Sequence, residues 1–292
     1  MFTLGGNRKG VRASGAKGMC AKGTFTPSAE AASLSKAPHF AKPTPMTVRF
    51  SMGGGNPNIS DKTKTTRGFA LEFEDSSGPM LFYFISAPVF FAKTPAQMLE
   101  FVEVRLPGAD GKPDAEKIKA FTAANPETTR QAAWINARPV PASFAGTDYW
   151  GVQAYTLTNK AGKATIVKLK AVPGAGQLNL SEDELKAKPD NFYGDELKER
   201  LAKGPVSFDF VAILGEAGDP TNDSTVMWPE ETRKTTKLGT ISVTALQDNT
   251  VCDGKNSDPV NSLPEGVAGP ANDPIFQARA AGYAASRVRR TQ

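Results

Sequence analysis

Segments of continuous or alternating apolar residues in the first third of the chain predict β-strands. Short runs rich in aromatic and aliphatic residues occupy positions 47–51, 68–73 and 80–86, and they have the length and composition of strands. The run at 80–86 opens with Met-Leu-Phe-Tyr-Phe-Ile and has no polar face. This pattern predicts a central strand that is buried on both sides.

The second half of the chain contains further strand patterns, including a hairpin. Residues 151–157 and 165–170 flank the turn-forming segment Asn-Lys-Ala-Gly, which predicts two antiparallel strands joined by a short turn. Two more runs of the same character, at 206–214 and 238–246, are expected to form strands as well.

Between the strands, residues 94–137 change to helical spacing. Thr94 followed by Pro95 is a typical helix start, and Met98, Leu99 and Val102 follow at the spacing of one helix face. Further helices are expected from Asn125-Pro126 towards Trp134, around 181–188 and around 195–203.

Together these elements predict an α+β fold. About eight strands, with most helices confined to two insertions, indicate an antiparallel β-barrel decorated by helices. Because the sequence has no internal repeat and no low-complexity linker, residues 1–292 are expected to form a single domain. Residues 1–20, rich in Gly, Lys and Arg, are expected to form an irregular N-terminal arm, and residues 273–290 a C-terminal helix.

Charge and composition exclude several classes of function. The chain has 292 residues, and its 35 Lys and Arg against 30 Asp and Glu give a formal charge of +5 that is dispersed along the sequence. Nucleic-acid binding needs a concentrated basic stripe, and no segment approaches the roughly 18 apolar residues of a membrane span. One histidine (His39) and two cysteines (Cys20 and Cys252) exclude a zinc finger, a four-cysteine iron–sulfur cluster and a multi-histidine metal site.

The cysteines and the N-terminus bear on the cell compartment. Cys20 and Cys252 lie 232 positions apart and could pair, but two free thiols in a cytosolic protein are the expected state. Arg8, Lys9 and Arg12 are not followed by the apolar stretch of a signal peptide. We therefore expect a cytoplasmic protein.

The helix that begins at Asp273 and Pro274 carries the clearest chemistry. Arg279 and Tyr283 are four residues apart, so their side chains lie on one helix face a turn apart. Arg290, seven residues further on, falls on the same face if the helix continues. A guanidinium beside a phenol stabilises the phenolate, and tyrosinate is a known axial ligand of haem iron. By itself, this spacing is also typical of a surface pair near a chain end.

Other blocks of the sequence occur together in one protein family. In chain order they are 10–18 (Gly-Val-Arg-Ala-Ser-Gly-Ala-Lys-Gly), 23–25, 47–51, 67–70, 88–91, 228–229 and 279–283. Over nearly its whole length the chain thereby resembles the haem catalases. The short chain, which ends soon after the tyrosine, and Cys252-Asp253 followed by Leu263-Pro264 are similar to the small catalase-related peroxidases.

The resemblance implies a catalase-like barrel with haem b inside it. Tyr283 matches the proximal ligand of the haem iron, and Arg279 its electrostatic partner. Arg12, Arg49 and Arg290 match the arginines that hold the haem propionates. This agrees with the need of two buried carboxylates for charge-assisted, preferably bidentate partners.

The sequence departs from the family on the distal face of the haem, opposite the tyrosine. Catalases place a histidine before Ala-Lys-Gly, where this chain has Gly15, and an asparagine three residues before the Pro-Val-Phe-Phe run, where it has Ile85. His39 lies in a connection before the strand at 47–51 and is expected to be structural. Ser51, which supports the distal histidine in relatives, is the nearby hydroxyl.

These replacements change the expected reaction. Positioned acid–base catalysis is worth about 10²–10⁴ in rate, so hydrogen peroxide disproportionation should be very poor. The distal pocket should be larger and more apolar, with Phe90 lining it and Met98 where many relatives place a phenylalanine. Such a pocket suits an organic hydroperoxide or a hydrophobic metabolite.

The leading hypothesis is therefore a haem-dependent oxidoreductase of the catalase-related peroxidase type. Isomerase, lyase or dehydratase chemistry on a hydroperoxide needs less acid–base help and stays open. A haem or small-ligand binding protein without catalysis is a second hypothesis. A scaffold without haem is a third, although the intact arginines and Tyr283 argue against it. A homodimer is a family-level expectation.

Overall fold

The computed structural model of this chain describes residues 4, 8–255 and 258–291, and its centre is a closed β-barrel. Each strand pairs antiparallel with the next in the sequence, β8 pairs with β1, and β4 meets β5 at Ile85 and Trp150. This is the eight-stranded antiparallel barrel with helices that the sequence predicts. The eight strands are β1 Gly18–Pro27, β2 Thr44–Met52, β3 Arg67–Asp75, β4 Gly78–Ile85, β5 Tyr149–Thr158, β6 Ala164–Pro173, β7 Val206–Leu214 and β8 Thr235–Gln247.

The interior of the barrel is filled by aromatic rings. Alternate residues of each strand point to the same side of the sheet, and all eight phenylalanines of the strands are buried in the core. Phe50 and Phe69, for example, stack with their ring centroids 4.9 Å apart, and such a pair adds about 0.5–1.5 kcal/mol to the gain from burial alone. The buried rings of this core include Phe25, Phe50, Phe69, Phe73, Phe82, Phe84, Tyr149, Tyr155, Phe208 and Phe210.

The run at 80–86 is apolar on both faces because strand β4 lies between the core of the barrel and a cavity. Its even-numbered residues, such as Phe82 and Phe84, are buried in the core, while Leu81, Tyr83 and Ile85 line a cavity outside the barrel. The prediction of a central strand was wrong in one respect. β4 lies at the seam of the barrel, where only Ile85 pairs with β5.

The helices are inserted between the strands. They are α1 Ala31–Leu34, α2 Pro95–Glu103, α3 Ala115–Ala124, α4 Arg130–Asn136, α5 Glu182–Ala187, α6 Tyr193–Lys203, α7 Asn249–Gly254 and α8 Pro274–Thr291. The Thr94 side chain caps α2 by accepting the N–H of Gln97 at 3.1 Å, as the sequence predicts. The segment expected to be helical from Asn125 is a 3₁₀ turn, Pro126–Thr129, that continues into α4.

The two ends of the chain join the barrel through strand β1 and helix α8. Residues 8–17 are irregular, and strand β1 begins at Gly18, so the last three residues of the expected arm, 18–20, are strand. The carboxylate of Asp273 caps α8 by accepting the N–H groups of Ile275 and Phe276 at 2.9 and 3.0 Å. Phe276, with its ring edge-on to Tyr155, then fixes the first turn of α8 to the barrel.

The two cysteines form a disulfide, so the expectation of free thiols was wrong. Cys20 on β1 and Cys252 on α7 are bonded, with their Cα atoms 5.8 Å apart. A sequence separation of 232 residues says nothing about this proximity, which arises because α7 lies across β1. Since disulfides persist mainly in oxidising compartments, the bond lends no support to the expected cytoplasmic location.

His39 has the structural position that the sequence predicts. It is fully buried, its Nε2 is 3.0 Å from the carbonyl oxygen of Gly78, and its ring lies edge-on to Phe73. Burial lowers the pKa of His39 below its usual value.

Candidate functional site

A cavity of about 670 Å³ lies between the outer surface of the barrel and helix α8. One wall consists of alternate residues on three strands, and the opposite wall is α8, with α2, α7 and the N-terminal arm at the rim. The resemblance implied a site inside the barrel, and this was wrong because aromatic side chains fill the interior. The strand residues that line the cavity with outward side chains are Thr47, Arg49 and Ser51 of β2, Gly68, Ala70 and Glu72 of β3, and Leu81, Tyr83 and Ile85 of β4.

On the α8 wall, small residues surround a tyrosine and leave room in front of it. Arg279, Tyr283 and Arg290 all line the cavity, as the spacing predicts, and Arg279 Nη2 donates to Tyr283 Oη at 3.3 Å. Beside the tyrosine, a Cβ added to Gly282 would have no atom within 4 Å. The tyrosine hydroxyl therefore has a cation beside it, and the helix surface next to Tyr283 is open at Gly282.

Arg279 is held in place by a buried glutamine and two aromatic rings. Its Nη1 donates to Gln153 Oε1 at 3.1 Å, and its Cζ lies 5.0 Å from the centroid of Tyr83 and 5.6 Å from that of Tyr283. Burial by itself lowers the pKa of Arg279, but interaction with the phenols, Tyr283 first and Tyr155 next, outweighs it and raises the pKa. The guanidinium of Arg279 thus stays positive at neutral pH, with its Nη2 3.3 Å from the oxygen of Tyr283.

At one end of the cavity, Arg12, Arg49 and Arg290 form an arginine cluster. Arg12 pairs with the carboxylate of Asp253 at 3.0 Å, and Arg290 Nη1 lies 3.6 Å from the same carboxylate. Burial, with the charge of Arg12, lowers the pKa of Arg49 to about 10, so Arg49 is still charged at neutral pH. Three guanidinium groups therefore share one nearby carboxylate.

Arg290 has unused hydrogen-bonding capacity. Its Nε and Nη1 atoms are buried and have no hydrogen-bond partner within residues 8–255 and 258–291. Such donors are costly unless something pairs with them. The arginine cluster therefore suits a ligand that brings carboxylates, and it has charge to balance two of them.

Five residues predicted for the distal side of the haem line the cavity and are called the distal wall: Gly15, Ser51, Ile85, Phe90 and Met98. Gly15 has a left-handed backbone, with φ of +65°, and a Cβ there would lie 3.1 Å from Ser51 Oγ. Strand register brings Ser51 and Ile85 to either side of Gly68. Apart from the Ser51 hydroxyl these residues are apolar, so the five provide no acid or base that titrates near neutral pH.

All ten predicted site residues line this one cavity: Arg12, Gly15, Arg49, Ser51, Ile85, Phe90, Met98, Arg279, Tyr283 and Arg290. Their chemical roles stay predictions.

Three neighbours of the site were not predicted: Tyr83, Gln153 and Asp253. The ring of Tyr83 stacks on Tyr283 at a centroid distance of 5.0 Å. Gln153 gave a usable signal, because it is a lone amide within an otherwise apolar strand pattern.

The cavity as a whole suits a flat, mostly apolar group with carboxylates at one end and an electrophilic centre for the phenol of Tyr283. Within residues 8–255 and 258–291, no three His, Cys, Asp or Glu side chains come together as a metal site. Among the described helices, none is long and apolar enough to cross a bilayer.

Comparisons with known proteins agree with this geometry. The family model described as catalase matches residues 7–292. A protein named "Catalase-related peroxidase" from Synechococcus elongatus is 37% identical over 288 residues, 97% of this chain and 84% of the relative. Another of that name from Mycolicibacterium paratuberculosis is 30% identical over 292 residues, 98% of this chain and 91% of the relative.

Two solved structures share the fold. A bacterial catalase and a fungal catalase, each 22% identical, superpose with TM-scores of 0.84 and 0.85. The superpositions cover 96% and 97% of this chain but only 57% and 59% of those two chains.

Proposed function

The chain belongs to the catalase family, and we propose that it is a haem b peroxidase for organic hydroperoxides or another hydrophobic metabolite, with weak or no catalase activity. A catalase-family peroxidase is what the relatives support; the substrate and the low catalase activity are our own inference. The observation that carries the proposal is the hydrogen bond between Arg279 and Tyr283 on the cavity face of α8.

The residues of the cavity fit haem in two respects. Tyr283, with Arg279 to stabilise its phenolate, would ligate the iron. The arginine cluster would pair with the two propionates, which supply partners for the unpaired nitrogens of Arg290. When bound, haem supplies redox cleavage of the peroxide O–O bond.

The distal wall determines which peroxides react well. Heterolysis of hydrogen peroxide needs a base to take a proton from one oxygen and return it to the other, a contribution of about 10²–10⁴ in rate. Gly15 and Ile85 cannot move a proton, and the Ser51 hydroxyl near Gly15 is a weak base that can only donate or relay a hydrogen bond. The apolar surface of Ile85, Phe90 and Met98 favours a bulky alkyl hydroperoxide over hydrogen peroxide.

The same wall favours one alternative. Isomerase, lyase or dehydratase chemistry rearranges the hydroperoxide itself and needs less proton transfer, so the absence of a base among the five distal residues is compatible with it. A haem or ligand-binding protein without turnover would share the proximal side and the arginine cluster. A cytoplasmic location and a homodimer are further parts of this proposal.

One set of measurements tests the proposal. The protein, loaded with haem b, is given a fatty-acid hydroperoxide with and without a reducing donor, and the products are identified; oxygen release from hydrogen peroxide is measured in parallel. We expect conversion of the organic hydroperoxide and little oxygen. Alcohol formed with donor oxidation indicates a peroxidase, and rearranged products formed without a donor indicate the alternative.

The control is Tyr283→Phe, which removes the phenol oxygen and leaves the ring. It should lose both haem and turnover. If the haem-loaded protein leaves the hydroperoxide unreacted, the protein binds haem or a ligand without catalysis. Rapid oxygen release from hydrogen peroxide would contradict our account of the distal wall.

A further inference from the structure

Helix α7 is a short segment with a single buried residue. Cys252 is 5% exposed, and the other residues of the helix are exposed: Asn249, Thr250, Val251, Asp253 and Gly254. A six-residue helix is unstable in isolation, because isolated helices below about 12–15 residues are marginal in water. The disulfide from Cys252 to Cys20 on β1 is the covalent cross-link between α7 and the barrel.

Two hydrogen bonds give weaker support to this attachment. The side chain of Asn249 accepts the N–H of Cys20 at 2.9 Å and donates to the carbonyl oxygen of Gly18 at 3.3 Å. Lys255, which directly follows α7, also pairs with Glu72 and Glu74 of β3 at 3.0 and 2.6 Å. Once the covalent bond is broken, α7 is held by these polar contacts and by the packing of Cys252.

The residues that follow the bond in α7 contact the arginine cluster directly. Arg12 Nη2 donates to the carbonyl oxygen of Cys252 at 2.9 Å, and Arg12 Nε donates to Asp253 Oδ1 at 3.1 Å. The same carboxylate lies 3.6 Å from Arg290 Nη1. The side chain of Arg12 is thus clamped by two consecutive residues of α7, one of which is the disulfide cysteine.

We propose that the Cys20–Cys252 disulfide is a positioning element for the arginine cluster. It holds α7 so that the Cys252 carbonyl and Asp253 keep Arg12 and Arg290 at the end of the cavity where the propionates of haem would lie. Reduction of the bond releases α7, Arg12 loses both acceptors, and the grip on the propionates weakens. This inference rests on the proposed haem site, and it concerns carboxylate binding at that site and not the overall stability of the barrel.

The test measures the rate of haem loss to excess apomyoglobin from the haem-loaded protein, oxidised and after reduction by a dithiol, with thiols counted to confirm reduction. The same rates are measured with haem dimethyl ester, which has no propionate carboxylates. We expect reduction to speed haem loss about ten- to a hundredfold, the effect of losing one or two charge-assisted contacts, and to change loss of the ester less than twofold.

The double variant Cys20→Ser with Cys252→Ser is the matched control for the reductant. It should lose haem at the rate of the reduced protein, and the dithiol should have no further effect on it. Hydrogen exchange on the same samples shows whether the strands of the barrel remain protected, which separates release of α7 from general unfolding.

Two results would overturn the proposal while leaving the haem site intact. One is equal haem loss from oxidised and reduced protein. The other is equal acceleration for haem and its ester, which would make the bond a general support of the fold. If the oxidised protein binds neither porphyrin, the proposed function is wrong. Hydrogen exchange then decides the claim about α7, since unchanged exchange across residues 249–254 on reduction would refute it.

Discussion

Replacing Arg290 should have opposite effects on two quantities: the stability of the haem-free protein should rise, and its affinity for haem should fall. The side chain of Arg290 is 9% exposed, its Nε and Nη1 have no hydrogen-bond partner among the described residues, and burial together with the charge of Arg12 lowers its pKa. Replacement by methionine, Arg290→Met, keeps a long flexible side chain and removes these two unsatisfied nitrogens. The free protein should therefore become more stable while it binds haem less tightly.

The magnitudes follow from the contacts. An unsatisfied buried polar group costs about 1–3 kcal/mol, and the distant Asp253 carboxylate offsets part of this cost. We expect the free energy of unfolding of the haem-free protein to rise by about 1–2 kcal/mol. Loss of one charge-assisted contact to a propionate should weaken haem binding about ten- to a hundredfold.

Urea unfolding of the haem-free protein and haem titration followed by absorbance measure the two effects. Lys198→Met, at an exposed position of α6, is the matched control and should change neither quantity by more than about 0.5 kcal/mol. A less stable haem-free variant would show that Arg290 already has a good partner in the protein. Unchanged haem affinity would remove Arg290 from the propionate contacts.

Four further predictions concern the proximal tyrosine, the distal wall, the cap of α8 and the buried histidine. Tyr283→Phe should abolish haem retention, and an unchanged haem spectrum after gel filtration would contradict the assignment. Gly15→His combined with Ile85→Asn should raise the rate of hydrogen peroxide consumption about a hundredfold. The double variant should lose about 1–2 kcal/mol in free energy of unfolding, because the φ of +65° at Gly15 strains any residue with a side chain. No gain in peroxide consumption would mean that the proposed distal geometry is wrong. Asp273→Ala should lower the free energy of unfolding, measured by thermal unfolding, by about 1 kcal/mol because the cap is lost. Asp273→Asn keeps the cap and should be at least as stable as the parent at neutral pH. The reason is that burial raises the pKa of the Asp273 carboxyl, so its charged form is disfavoured. Burial lowers the pKa of His39, so the unfolded chain binds a proton more readily than the folded one, and the free energy of unfolding should fall as the pH drops through about 6.5. In urea unfolding at several pH values, His39→Gln should show a smaller fall. An equal pH dependence of the variant and the parent would contradict this prediction.

The sequence predicts the barrel well because strand and turn signals are local. Residues 151–157 and 165–170 flank a turn with its own chemistry, and they lie inside β5 and β6. The prediction for β4 was incomplete because an apolar residue fits a barrel core and an apolar cavity equally well. Leu81 and Ile85 are apolar for the second reason, and periodicity cannot distinguish the two.

Without the family resemblance, the sequence predicts a common location only for site residues that belong to one element. Arg279 and Tyr283 are one turn apart on α8, and a helical repeat is enough to bring them together. Arg12 and Asp253 come from opposite ends of the chain, and only the closed barrel places them 3.0 Å apart. The disulfide escaped prediction for the same reason, since it joins β1 to α7.

Helix α8 also sets the size of any ligand that uses both functional ends of the cavity. Tyr283 and Arg290 lie seven residues apart on one helix face, and at 1.5 Å per residue their Cα atoms are separated by about 10 Å along the axis. Helix α8 fixes the separation of these two backbone positions, and only side-chain movement changes the distance between the phenol and Arg290. A ligand that contacts both must therefore extend along the helix, with its carboxylates at the Arg290 end. A flat macrocycle with acidic side chains on one edge meets this condition, whereas a flexible fatty acid would lose conformational entropy to do so. The proposed haem therefore suits the gap between α8 and the barrel, and the apolar residues Ile85, Phe90 and Met98 are left for the proposed substrate.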